Sequence, residues 1–138
     1  MFWAIAGQGA FLNGGRISVS TQKEYDKALI GFDVGHRGHR KEDLLKTVAP
    51  QIDNVRYMPS YASSVFAQIL VAKGSLDAYM HHRCFIWDIC AGTVIVEEAG
   101  GKVTDHRGEP LDFNRKENLS VLASNGIMHN QILGAMNK

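Results

Sequence analysis

The stretch that most constrains this chain is FIWDICAGTVIVEEAGGKVTD, residues 85–105. It reads as an apolar helix over 87–99 that opens on Trp87-Asp88, stops at Gly100-Gly101 and hands over to a strand, GKVTD. An acidic residue at the mouth of such a helix has two readings. In the local one, the carboxylate accepts backbone N–H groups and meets the positive end of the helix dipole, worth about 0.3–1 kcal/mol. In the functional one, it holds a hard cation while the helix N-terminus faces a phosphate. A single carboxylate makes a poor Mg²⁺ site, so the second reading needs partners from elsewhere.

The rest of the chain supplies alternating strands and helices. MFWAIAGQGAFLNGGRISVS gives short strands at 1–6, 10–12 and 16–20, separated by glycine-bearing turns, and KALIGFDVG gives one at 27–33. A helix is expected from 41 to 49, ending near Pro50, and NVRYM reads as a short strand. Pro59-Ser60 opens a second helix, with Val65, Ile69 and Ala72 on one core face and Gly74 as its stop. LDAYMH is a strand, EPLDF a short edge strand, LSVLAS a buried strand and GIMHNQILGAMNK a closing helix. This order predicts an α/β fold with a layered, mostly parallel or mixed sheet and flanking helices. The strands of residues 1–24 have no helix to cover them, and a bare apolar sheet edge is an association hazard. They read as the last strands of a sheet domain begun elsewhere, with residues 25–138 forming a C-terminal α/β domain.

Composition narrows the function classes. A chain of 138 residues can bury roughly 68% of its unfolded surface, enough for a real core. A net charge of +1 gives no case for nucleic acid or an anionic membrane as partner, and no apolar run approaches the ~20 residues of a membrane span. The opening MFWAIAGQGA lacks the basic and long apolar regions of a secretory signal. Cys84 and Cys90 lie in or beside the apolar helix rather than in a spaced framework, which points to free thiols in a reducing cytoplasm.

Several motifs fail on inspection. AGGKVT cannot be a phosphate loop, because Val96 stands where its first glycine should and the glycines end a helix instead of opening one. GQGAFLNGG has Leu12 at the third glycine position of a dinucleotide fingerprint and is a turn between strands. There is no G-x-S-x-G elbow. HHRC, residues 81–84, reads as an exposed basic loop or an anion-contacting one, and GHRGHR, residues 35–40, reads the same way. Cys84 is the only nearby addition toward a zinc site, too few ligands for one.

Taken together, GQGAFLNGGRISVS, LVAKGSLDAYM, WDICAGTVIVEEAGGKVTDHRGEPLDF and SVLASNGIMHNQIL resemble, in order, the C-terminal half of the inositol monophosphatase family. The most specific block is W-D-x-x-A-G…E-A-G-G-x-x-x-D, matched by Trp87, Asp88, Ala91, Gly92, Glu98, Ala99, Gly100, Gly101 and Asp105. The resemblance implies a Mg²⁺-dependent phosphomonoesterase that hydrolyses a small phosphorylated metabolite with metal-activated water. It implies Asp88 as a metal ligand. Substrate contacts would come from Ala62-Ser63-Ser64, aligned with the family's G-[ST]-A helix start, and from His81, where inositol phosphatases carry an acidic residue. An imidazole beside His82 and Arg83 suits an extra anionic group better than a neutral polyol. The family's arginine before G-[ST]-A is displaced, with Pro59 in its place and Arg56 nearby.

The family's Glu and D-P-x-D-G-[ST] metal motifs do not occur here. The expected partners are therefore the missing N-terminal half and a small phosphorylated metabolite. Family members commonly dimerise, so a homodimer is a further expectation, though nothing in the sequence locates an interface. The alternative is a non-catalytic module of the same fold, serving assembly or ligand binding.

Overall fold

The computed structural model describes residues 1–34, 38–115 and 119–137. Three short strands, β1 (Phe2–Ile5), β2 (Gly9–Leu12) and β3 (Gly15–Ile17), form an antiparallel meander. A second sheet contains β4 (Ile30–Asp33), β5 (Ala78–Cys84), β6 (Lys102–Thr104) and β7 (Leu119–Ser124) in the order β4-β5-β7-β6. It is mixed: β4 and β5 are parallel, while β7 pairs antiparallel with both β5 and β6. The helices are α1 (Arg40–Asp43), α2 (Ser64–Ala72), α3 (Ile86–Glu98) and α4 (His129–Met136).

The layers follow from the apolar pattern. Helix α3 buries Ile89, Gly92, Thr93, Ile95 and Val96 in a core shared with α2, β5 and β7. Phe2, Ala4 and Ile17 of the meander pack onto the same core, so α3 lies between two sheets. That position suits a helix whose apolar residues are not confined to one stripe. All six residues of β7 are buried because both of its faces are covered. On the far face, Met80 and Leu122 meet Met128 and Ile132 beside α4, forming a second core. The glycine stop operates as read: Gly100 takes φ +87°, and Gly101 N–H returns to the Val96 carbonyl at 2.9 Å.

Some expectations are corrected. EPLDF forms no strand; Glu109 instead closes a turn on Asp105, its carbonyl accepting the Asp105 N–H at 2.8 Å and its N–H donating to Asp105 Oδ1 at 2.9 Å. NVRYM is reduced to one isolated bridge, Leu29 with Tyr57, and a second, Phe32 with Ser60, lies just beyond it, because the chain there follows β4 only at single points. The helix expected over 41–49 is α1 continued by a π turn, Leu44–Val48. On α2 the inward face is Ala67, Gln68, Val71 and Ala72, while Val65 is 37% exposed, so the stripe Val65-Ile69-Ala72 is only partly core. The missed signal is Gln68, a buried polar residue that faces α3. Residues 81–84 are no loop at all but the end of β5, and part of GHRGHR, residues 35–37, lies outside the described residues.

Two predictions follow from the packing. A Cβ at Gly92 would sit 2.1 Å from Gln68 Oε1 and 2.8 Å from Gln68 Cβ, so α2 and α3 must separate to admit it. Gly92→Ala is expected to cost about 1–3 kcal/mol, read as a lowered urea midpoint. His129, wedged between Thr104 Oγ1 at 2.9 Å and Ser124 Oγ at 2.8 Å, is pushed by burial from 6.5 to about 4. The fold thus holds it neutral while the unfolded chain protonates first. Its contribution is intact above pH 6.5 and lost as pH falls toward about 4. Urea midpoints measured across that window should fall more steeply for the wild-type chain than for His129→Gln.

Candidate active site

The carboxyl ends of β4 and β5 and the N-termini of α2 and α3 converge on a cleft of about 520 Å³. This is where an open α/β sheet places its ligands. Asp88 lines it, as do Ala62, Ser63, Ser64 and His81, so all five residues singled out from the sequence share one cavity. Asp33, Arg40, Arg83 and Trp87 complete its charged and aromatic lining.

Asp88 answers to both of its readings. It stands in the first turn of α3, where its Oδ2 accepts the Phe85 N–H at 3.2 Å and its own N–H donates to the Phe85 carbonyl at 3.0 Å. This reciprocal pair caps the helix and fixes the side chain at the cleft wall. Phe85 and Trp87 stack above it with ring centroids 4.7 Å apart. As a half-buried, hard oxygen donor, Asp88 fits one position in a Mg²⁺ coordination shell. Among the described residues it belongs to no group of three or more His, Cys, Asp or Glu able to hold a metal, so it can supply part of such a site and not the whole.

The start of α2 is held by a buried carboxylate that the sequence reading missed. Asp33 Oδ1 accepts Ser60 Oγ–H and Ala62 N–H, each at 2.8 Å, and Oδ2 accepts the Tyr79 hydroxyl at 2.9 Å. With three donors on it, Asp33 organises the backbone at the start of α2. It pins Ala62 at φ +54°, a left-handed conformation that costs a non-glycine residue about 1–2 kcal/mol. A strained residue over-determined by its surroundings is typical of a binding wall. The family resemblance aligned Ala62 with a glycine, and the backbone has kept the conformation that glycine favours. The available signal was position: Asp33 is the last residue of β4, at the strand end that faces the cleft.

From Asp33 the network runs on through Tyr79. Its hydroxyl lies 3.0 Å from Ser64 Oγ, which lies 3.0 Å from His81 Nδ1. Burial pushes the Tyr79 phenol well above its ordinary range, so it stays protonated and donates. Tyr79 and His81 point to the α2 face of β5, and His82 to the other; a register shift between His81 and Cys84 then returns Cys84 to the first face. Arg83 sits in that irregular step. Its Nε donates to Asp43 Oδ1 at 3.0 Å and its Nη2 to Glu42 Oε2 at 3.2 Å. Arg56, the nearest candidate for the family's displaced arginine, does not line the cleft, whose guanidinium groups among the described residues are those of Arg40 and Arg83.

The fold and cleft define a layered α/β protein with a polar pocket at strand ends, walled by two helix N-termini and a capping carboxylate. The family model of the inositol monophosphatase family matches residues 1–138, and the chain belongs to that family. It is 38% identical over 139 residues to the fructose-1,6-bisphosphatase/inositol-1-monophosphatase of Methanothermobacter thermautotrophicus, covering 96% of this chain and 47% of that protein. It is 32% identical to the inositol-1-monophosphatase of Bacillus subtilis, covering 96% and 49%. The inositol monophosphatase structure from Anabaena superposes with a TM-score of 0.89 at 28% identity, covering 99% of this chain and 53% of that one. The chain thus spans about half the length of the relatives it matches. Among the described residues no helix is long and apolar enough to cross a membrane.

Removing the Tyr79 hydroxyl leaves Asp33 Oδ2 buried without its donor. Tyr79→Phe is therefore expected to lower unfolding free energy by about 1–3 kcal/mol, measured by urea denaturation.

Proposed function

We propose that this chain carries the substrate-recognising part of a Mg²⁺-dependent phosphomonoesterase acting on a small phosphorylated metabolite in the cytoplasm. The observation that carries the reading is the convergence of Asp88, Ala62-Ser63-Ser64 and His81 on one cleft at the N-termini of α2 and α3. Asp88 would hold one Mg²⁺, its orientation set by the Phe85 N–H. Mg²⁺, when bound, offsets phosphate charge and lowers the pKa of water at the site. The first turns of both helices offer N–H groups that lack intrahelical partners, and their dipoles favour an anion. Tyr79 and Ser64 orient His81, which would contact the alcohol portion of the substrate.

The remaining carboxylate ligands would come from outside these residues. The N-terminal half of the family fold is the partner we propose, and a second copy of this chain is the other source. The meander supports such docking: on its face away from α3, Trp3 stacks on Phe11 with centroids 4.2 Å apart, and Arg16 lies over the same ring at 5.4 Å. That ready-made apolar and cationic surface suits cover by another segment. The free thiols Cys84 and Cys90 suit a reducing compartment.

Arg40 and His81 favour a substrate with a second anionic group over a neutral polyol phosphate, while Arg83 is held by Glu42 and Asp43. The Methanothermobacter relative's name covers both a bisphosphatase and an inositol monophosphatase, so both classes belong in the test. Phosphate release should be measured with Mg²⁺ for the chain alone and joined to an N-terminal half, over inositol, sugar, nucleotide and histidinol phosphates. Asp88→Asn is expected to cost on the order of 10²–10³ in kcat. His81→Glu is expected to shift the kcat/KM ratio toward neutral polyol phosphates. An assembled enzyme that is silent would instead support a non-catalytic module of this fold, and turnover that survives Asp88→Asn would show that Asp88 does not hold the catalytic metal.

A further inference from the structure

The opposite face of β5 carries a second cavity, of about 470 Å³, with no part in the reading above. His82 reaches it from β5, Lys46 from the π turn, His106 from the loop after β6, Ser120 from β7 and Asn137 from the end of α4, while Arg83 closes one side. Lys46, His82 and His106 bring nitrogen donors to it, while Asn137 Nδ2 is committed to the His106 and Leu133 carbonyls. Among the described residues the one carboxylate in the lining, Asp43, is buried and engaged by Arg83 Nε at 3.0 Å. The His82 and His106 rings lie 5.0 Å apart, and Ser120 Oγ is bonded to His106 Nδ1 and accepts the His106 N–H at 3.2 Å. Asn137 Nδ2 donates to the His106 carbonyl at 3.1 Å, fixing this loop against α4.

We propose that this outer cavity is a binding site for a small oxyanion of the phosphate type. Nitrogen donors from three separate elements, the π turn, β5 and the loop after β6, converge on a volume within the range of small-molecule pockets, and such a donor set calls for a ligand rich in acceptors. Charge balance sets the condition for binding. Lys46 is paired with Glu42 at 2.7 Å, and Arg83 with Glu42 and Asp43, so the resident cations are already offset. The additional positive charge must come from the two imidazoles. His82 faces His106, Asp43, Arg83 and Lys46, and His106 faces Asp105, Arg107 and Lys46. Burial is the main force holding both rings below their ordinary range, so without a ligand they are neutral at neutral pH. An anion favours their protonated forms, and the complex takes up protons. Affinity therefore rises as pH falls, by roughly tenfold per pH unit for each proton taken up.

Arg83 lines both cavities, so an oxyanion that draws on its guanidinium competes with Glu42 and Asp43 and alters the cleft wall. This coupling rests on the reading of the cleft as the substrate site; binding in the outer cavity does not. The test is titration of the chain with inorganic phosphate while the imidazole ¹H–¹⁵N resonances of His81, His82 and His106 are followed. His82 and His106 should shift with one midpoint that tightens at lower pH, and Asp88→Asn should leave that midpoint unchanged. His106→Gln and Lys46→Gln should each weaken it about tenfold or more, with backbone spectra showing both variants folded. Stationary His82 and His106 resonances at millimolar phosphate would overturn the proposal. Shifts that follow those of His81 with a shared midpoint and disappear in Asp88→Asn would overturn it too, since they would originate in the cleft.

Discussion

The burial of α3 between two sheets is the constraint on which the rest of this structure depends. A helix that is apolar on most of its circumference needs cover on more than one side, and here α2, the meander and the β7 side of the second sheet supply it, leaving a strip of Trp87, Ala91, Val94 and Glu97 exposed. The fit requires small residues at the closest approaches. Gly92 passes Gln68 of α2, and the turn at Gly100 and Gly101 lets the chain reverse directly into β6. With α3 fixed at this depth, its N-terminus and Asp88 arrive at the same height as the start of α2 and the ends of β4 and β5.

The cleft is then built by hydrogen bonds that each position something else. Asp33 holds the left-handed Ala62 and orients Tyr79; Tyr79 and Ser64 set the His81 ring; Phe85 sets Asp88. A site assembled this way presents its donors before any ligand arrives, and preorganisation of that kind is what electrostatic stabilisation of phosphate chemistry requires. The same strand serves both faces of the sheet. Residues 81–83 send one imidazole into the cleft, one into the outer cavity, and a guanidinium to the border of both.

Much of this was legible from the sequence because it depends on local rules. The apolar helix with its acidic mouth and double-glycine stop falls at Ile86–Glu98 against an expected 87–99. The meander, β5, β7 and the closing helix also stand where periodicity and turn residues put them. What stayed hidden depends on tertiary contact. EPLDF has strand-like residues but no neighbouring strand to pair with, and Val65 has helical spacing but no core in front of it. Asp33 and Tyr79 carry no motif; only folding reveals that residues 46 apart in sequence share a buried hydrogen bond. The split of His81 and His82 onto opposite faces follows from strand alternation, and was obscured by taking HHRC for a loop.

We propose Asp88 and the cleft around it as a divalent-metal and phosphate site. The most direct measurement is paramagnetic broadening by Mn²⁺, used in place of Mg²⁺, in backbone spectra of this chain with inorganic phosphate present. Broadening is expected to centre on Asp88, Ala62, Ser63 and His81 and to be lost in Asp88→Asn. Broadening centred elsewhere, or unchanged by Asp88→Asn, would contradict it.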